Sequence, residues 1–234
     1  DHRRYLATGN KTIRRLLEQV QIDGLKGTLV AVPSVNIFGF VHQSRYLPDR
    51  RDLNRSFPGS ARGSLAARLA HLFMNEVVKR CVFGVDLHTA APPRVNLPQV
   101  RGDLRDEMTR GCAEAFGAPA MIQSTAPRGS LRREATRLGV PTLLFEAGEP
   151  LRFNEEAIRI GVEGVLRVMA HLGMLCQAPA RPGQAPLEVT RTRWVRARQS
   201  GILRLGVELG EWVGRSQELG VIADPFGDTS LKLK

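Results

Sequence analysis

The chain of 234 residues is long enough for one ordinary domain and a small second one. Hydrophobic residues make up 42% and charged residues 24%, with no apolar run able to span a bilayer and no signal peptide, so a globular, soluble, cytoplasmic protein is expected. A net charge of +11 raises the question of nucleic acid, but the arginines are dispersed and only 6% of residues are aromatic, so solvated surface plus a site for a small anion accounts for it better.

In chain order, NKTIRRLLEQV carries apolar residues at 13, 16, 17 and 20, the stripe of an amphipathic helix. DGLKGTLVAVPSVN then predicts a turn and a strand covered on both faces. SLAARLAHLFMNEVVKRC predicts a helix capped by Ser64, and VFGVDLHT a short buried strand ending in polar residues. LRDEMTRGCAEAFG predicts another helix. SLRREATRLG predicts one more, closed by Gly139, before the buried strand VPTLLFEAG and a long helix from Asn154. QAPARPGQAP (177–186) reads as a linker, and from Leu187 onward apolar and polar residues alternate between glycines, as in a small β module. The three cysteines, Cys81, Cys112 and Cys176, follow no C-x-x-C spacing and are expected as buried reduced thiols.

Alternating strands and helices predict an α/β/α sandwich with a parallel or mixed sheet, in which ligands bind beyond the carboxyl ends of the strands. Two such ends carry reactive residue types. His88 closes the first strand two residues after Asp86, an arrangement that suits a metal ligand oriented by a carboxylate and equally a hydrogen-bonded structural histidine. Glu146 follows a run of apolar residues at the rim of the second, where it could act as a general base or pair with an arginine. Between helix and strand, RDLNRSFPG places Arg51, Asn54 and Arg55 together, residue types suited to holding a carboxylate. GSLRRE adds Arg132 near a helix start.

Taken in order, KGTLVAVPSVNIFGF, SRYLPDRRDLNRSFPGS, DLHTA, RVNLPQVR and GSLRREATRLGVPTLLFEAGE resemble the succinylglutamate desuccinylase/aspartoacylase family, zinc-dependent deacylases on the carboxypeptidase fold. The resemblance covers residues 9 to about 175 and extends to the C-terminal β module. It implies that His88 is a zinc ligand and that Glu146 is the catalytic acid/base, with Glu149 the alternative carboxylate. It further implies that Arg51, Asn54 and Arg55, and more loosely Arg132, hold the substrate. The implied reaction is hydrolysis of the amide of an N-acyl amino acid or similar small anion, with a zinc-bound water deprotonated by Glu146. A homo-oligomer is left open.

The family's other two zinc ligands come from an H-G-D-E motif ahead of the first helix. Alignment through Gly9 puts Arg3 and Leu6 at those positions, and a shift by one puts His2 and Tyr5 there. Neither pair offers a histidine and a carboxylate, and one histidine alone does not hold a catalytic zinc. Three readings remain: an incomplete sequence of a normal enzyme, a metal-free relative that binds an anionic metabolite, or a site rebuilt with His2 or His42. GILRLGVELGEWVGRSQELGVI resembles half of a biotinyl/lipoyl-type barrel, but it has no Met-Lys attachment point, so a structural cover or lid is expected there.

Overall fold

The computed structural model describes residues 8–91, 94–227 and 230–234, and it divides into two compact units between Thr190 and Arg191. In the first unit, α1 (Thr8–Gln19) turns Leu16 into the core and leaves Leu17 half exposed. The following segment differs from expectation. Residues 25–34 run without any strand ladder; Leu25 and Leu29 pack on the core while Val30 is 53% exposed. An apolar run becomes a strand only where a neighbour supplies the other half of the hydrogen-bond ladder, and none of the described segments does so here.

A short helix α2 (Ile37–His42) follows, capped by Asn36, whose side chain accepts from the Gly39 N–H. α3 (Leu65–Glu76) has the predicted Ser64 cap, and Asp49 also reaches its first turn, accepting the Ala66 N–H at 3.0 Å. That bond, helped by the Arg51 contacts and opposed by burial, holds the Asp49 carboxyl below its ordinary range.

The sheet contains β1 (Gly84–His88), β2 (Asn96–Gly102), β3 (Ala120–Gln123), β4 (Thr142–Gly148) and β5 (Leu187–Val189), in the order β1-β4-β2-β3-β5. β1 runs parallel to β4, β2 antiparallel to β4, and β3 parallel to both β2 and β5. The sheet is therefore mixed. β5 comes from the stretch expected to open the separate β module; its Leu187–Val189 pair with β3 instead, and the second unit begins at Arg191.

Three helices cover one face: α1, α4 (Glu107–Phe116) and α6 (Glu155–His171) pack around Val100, Leu143 and Phe145. Phe116 and Phe145 meet at 4.9 Å between ring centroids, and burying each such ring stabilises the fold by about 2–3 kcal/mol. Helix α6 comes this close because it presents glycine at the contact: a Cβ on Gly164 would run into the Phe116 ring. α5 (Leu131–Arg137) packs against β4, and together with α3 and the loop ahead of α3 it encloses a second cluster that includes Leu53, Phe57, Ala70, Met74 and Ala135.

Of the three free thiols only Cys112 fits the buried expectation; Cys81 is half-buried and Cys176 exposed. Burial, with a smaller effect from Asp106, pushes the Cys112 thiol up to about 11. The exposure of Cys176 follows from its place just beyond α6, where the core ends.

The second unit is a three-stranded antiparallel sheet of β6 (Ile202–Leu205), β7 (Gly220–Ala223) and β8 (Ser230–Leu233), with β7 central and Ile222 and Ala223 buried. No helix among the described residues is long and apolar enough to cross a membrane.

Candidate active site

Alternation along a strand sets the site. Asp86 and His88 lie two apart on β1 and so share a face, and Asp86 Oδ2 sits 3.0 Å from His88 Nε2. In the parallel register His88 stands opposite Glu146 on β4. On the other side of β4, Gln99 of β2 stands opposite Glu146, and Asn96 donates its amide to Glu146 Oε2 at 2.6 Å. A histidine and a glutamate far apart in sequence thus become neighbours across one ladder rung, each held by a second polar side chain.

The imidazole is strongly perturbed. Burial by itself would lower its pKa, but the charge and hydrogen bond of Asp86 and the charge of Glu146 outweigh burial and the opposing charge of Arg45, raising it to about 9. His88 is therefore a cation at neutral pH, with Asp86 as its counter-ion.

The RDLNR loop is built as a rigid piece. Tyr46 and Asp52 form a bridge, Leu47 N–H donates to Arg51 O, and Asp52 caps the turn Leu53–Arg55 by accepting the Asn54 N–H. Asp52 also holds Arg45 at 2.8 Å, and Arg45 is the residue whose charge reaches His88. The loop is fastened to the start of α5 in two places. Asn54 Oδ1 accepts the Leu131 N–H at 2.8 Å, and Phe57 N–H donates to Gly129 O at 3.0 Å. Gly129 has a φ of +73°, and a Cβ there would run into the Arg55 carbonyl, so only glycine fits the junction.

Of the residues expected to hold the substrate, Arg51 and Arg55 are exposed, and neither ion-pairs with a carboxylate among the described residues. Asn54 has its oxygen engaged by α5 and its amide N–H groups left to donate. Arg132 is 7% exposed and donates to Ser124 Oγ at 2.9 Å, with Asp86 among the charges acting on it. Glu149 lies past the end of β4 and pairs with Arg152 at 3.6 Å. Arg45, Asn96 and Arg101 went unremarked in the sequence. Only the weak signal of polar residues inside RVNLPQVR pointed to the last two.

The donor set for a metal is short. Among the described residues no group of three or more His, Cys, Asp or Glu side chains converges on a metal position. His88 brings one ring nitrogen beyond the one facing Asp86, Glu146 is engaged by Asn96, and His42 is exposed at the end of α2. His2, Arg3, Tyr5 and Leu6 lie outside the described residues. The zinc expected from the resemblance does not fit the donors described.

Comparisons with known proteins identify the family and the fold. The profile of the succinylglutamate desuccinylase/aspartoacylase catalytic domain matches residues 7–172. An N-alpha-acetyl-L-2,4-diaminobutyric acid deacetylase from Halomonas elongata is 26% identical over 92% of this chain, which spans 66% of that relative's length. A succinylglutamate desuccinylase/aspartoacylase from Rhodobacter sphaeroides is 30% identical, with a TM-score of 0.83 over 97% of this chain and 72% of its own. The product-bound ectoine utilization protein from Ruegeria pomeroyi shares the fold, with a TM-score of 0.83 at 22% identity over 97% of this chain and 73% of its own. On its matched profile and its 30% identical structural relative, the chain belongs to the succinylglutamate desuccinylase/aspartoacylase family.

Proposed function

We propose that this chain carries the substrate-binding and acid/base part of a deacylase that hydrolyses the amide bond of an N-acyl amino acid or a similar small anion. The observation that carries this reading is the ladder rung that sets His88 beside Glu146, in a chain whose arginine loop is anchored to the start of α5 and holds Arg45, whose charge acts on His88. The curated relative is named as a deacetylase of an N-acetylated amino acid, which supports the substrate class.

The residues present can divide the work. Asn96 orients Glu146 through Oε2, leaving Oε1 to accept a proton from an attacking water and to return it to the leaving amine. The imidazolium of His88, fixed by Asp86, would offer a positive charge to a developing oxyanion. Arg51 and Arg55 offer exposed guanidinium groups to the substrate carboxylate, with the Asn54 amide as a further donor. No step is assigned to zinc, because the described donors do not make its site.

That same short donor set favours a second reading, a metal-free relative that binds an anionic metabolite without turning it over. Purified chain assayed with N-acyl amino acids, alongside Glu146→Gln and a zinc determination, separates the two. Hydrolysis that falls about 10²- to 10⁴-fold in Glu146→Gln supports the deacylase. Saturable binding with no turnover and no stoichiometric zinc supports the binder. A chain that neither binds nor hydrolyses such compounds would refute both.

A further inference from the structure

Below the rung of His88 and Glu146 lies a second row of charge. Register places Asp86 opposite Leu144 and Leu144 opposite Arg101, so this row sits one strand repeat below the first, about 7 Å along the strands. Arg132 reaches toward it from α5, close enough for Arg101 to repel its charge. Burial, more than any neighbour, pushes the Arg132 guanidinium below its ordinary range; Arg101 adds to this, and Asp86 and Asp103 oppose it.

The two guanidinium groups are only partly satisfied by the described residues. Arg132 Nη2 donates to Ser124 Oγ, but Arg132 Nη1 and Arg101 Nε are buried with no hydrogen-bond partner among the described residues. The carboxylates within electrostatic reach of Arg132 are occupied. Asp86 holds His88 at 3.0 Å, and Asp103 takes Arg105 at 2.7 Å and Gln123 at 3.0 Å. Buried donors in native proteins are almost always paired, and a desolvated cation beside a second one is costly. An ordered water would satisfy an N–H but would not offset the repulsion; an anion does both. Oxygen acceptors suit a guanidinium, whose planar N–H groups match the two oxygens of a carboxylate.

We propose that Arg101, Arg132 and Ser124 form a buried subsite for a small anion with oxygen acceptors, a carboxylate foremost, distinct from the exposed Arg51–Arg55 loop. This subsite does not depend on the deacylase reading. The carboxylate could be part of the substrate or a free small anion, and both present the same two oxygens.

Thermal unfolding of the full chain with sodium acetate, in a chloride background of constant ionic strength, tests it. Wild type should gain about 3 °C at a ligand concentration ten times Kd. Arg101→Met should lose that gain, and without acetate it should melt no lower than wild type, because the like-charge contact is gone. Arg101→Lys keeps the charge and should retain part of the gain, while Arg55→Ala should retain all of it. A wild type indifferent to acetate, or a gain that survives Arg101→Met, overturns the proposal. Calorimetric titration with an N-acetyl amino acid then identifies the source. Competition by acetate assigns the subsite to the substrate's own carboxylate, and independent binding assigns it to a free anion. A chain stabilised by acetate that hydrolyses nothing would count against the deacylase and leave the subsite standing.

Discussion

Asn54 does two jobs with one amide group. Its oxygen accepts the Leu131 N–H at the start of α5, and its nitrogen is left for a ligand. The two roles separate by substitution. Asn54→Ala should lower stability by about 1–2 kcal/mol, because a helix-start N–H loses its acceptor. Asn54→Asp keeps an oxygen there and should restore most of that stability in urea unfolding. It removes the donor and adds a negative charge, so affinity for an acidic ligand should stay low. If Asn54→Asp bound acidic ligands as tightly as wild type, the amide would have no part in recognition. His88 and Glu146 were legible at this scale because a polar residue ending an apolar run has few structural excuses. Arg45, Asn96 and Arg101 were not, since nothing local distinguishes them from other polar residues; the first acts through a loop that folds back, and the others through a strand whose partner lies about fifty residues away.

Among the elements, the junction between the arginine loop and α5 carries the most information about function. It is held by Phe57 N–H to Gly129 O, by Asn54 to Leu131, and by the close approach of Gly129 to Arg55. Gly129→Ala would force a left-handed φ on a residue with a Cβ and drive that Cβ into the Arg55 carbonyl. A loss of about 2–3 kcal/mol in chemical denaturation is expected, with weaker binding of anionic ligands, because Arg55 is displaced along with its carbonyl. Unchanged stability would mean that the loop and α5 are not coupled. β2 shows why one element stayed hidden. Asn-Leu-Pro-Gln-Val-Arg-Gly carries a proline, which argues against a central strand, yet β2 lies between β4 and β3. The pairing absorbs Pro98 through a register shift between Asn96 and Gln99, and that accommodation exists only once β4 is alongside. The stretch at 25–34 is the opposite case, a strand pattern that none of the described segments pairs with.

For the molecule as a whole, the division at Thr190 and Arg191 falls in RTRWVRARQS, where every residue is exposed and no regular structure forms. Brief trypsin treatment should cut first among Arg191, Arg193, Arg196 and Arg198, leaving a resistant fragment that ends near residue 190. Early cleavage inside α4 or α6 instead would contradict the division. The sequence by itself determined the α/β class and the positions of the long helices, because hydrophobic period and helix caps are local properties, and the order of its motifs pointed to the family and named His88, Glu146 and the arginine loop as candidates. Tertiary structure alone decided that His88 meets Glu146 across a rung, that Asn96 holds that glutamate, that Asn54 is partly a fastening, and that Arg101 Nε and Arg132 Nη1 are buried without a hydrogen-bond partner among the described residues. Those facts depend on strand order and register, which bring residues far apart in the chain to within a few ångströms, and no local pattern encodes that proximity.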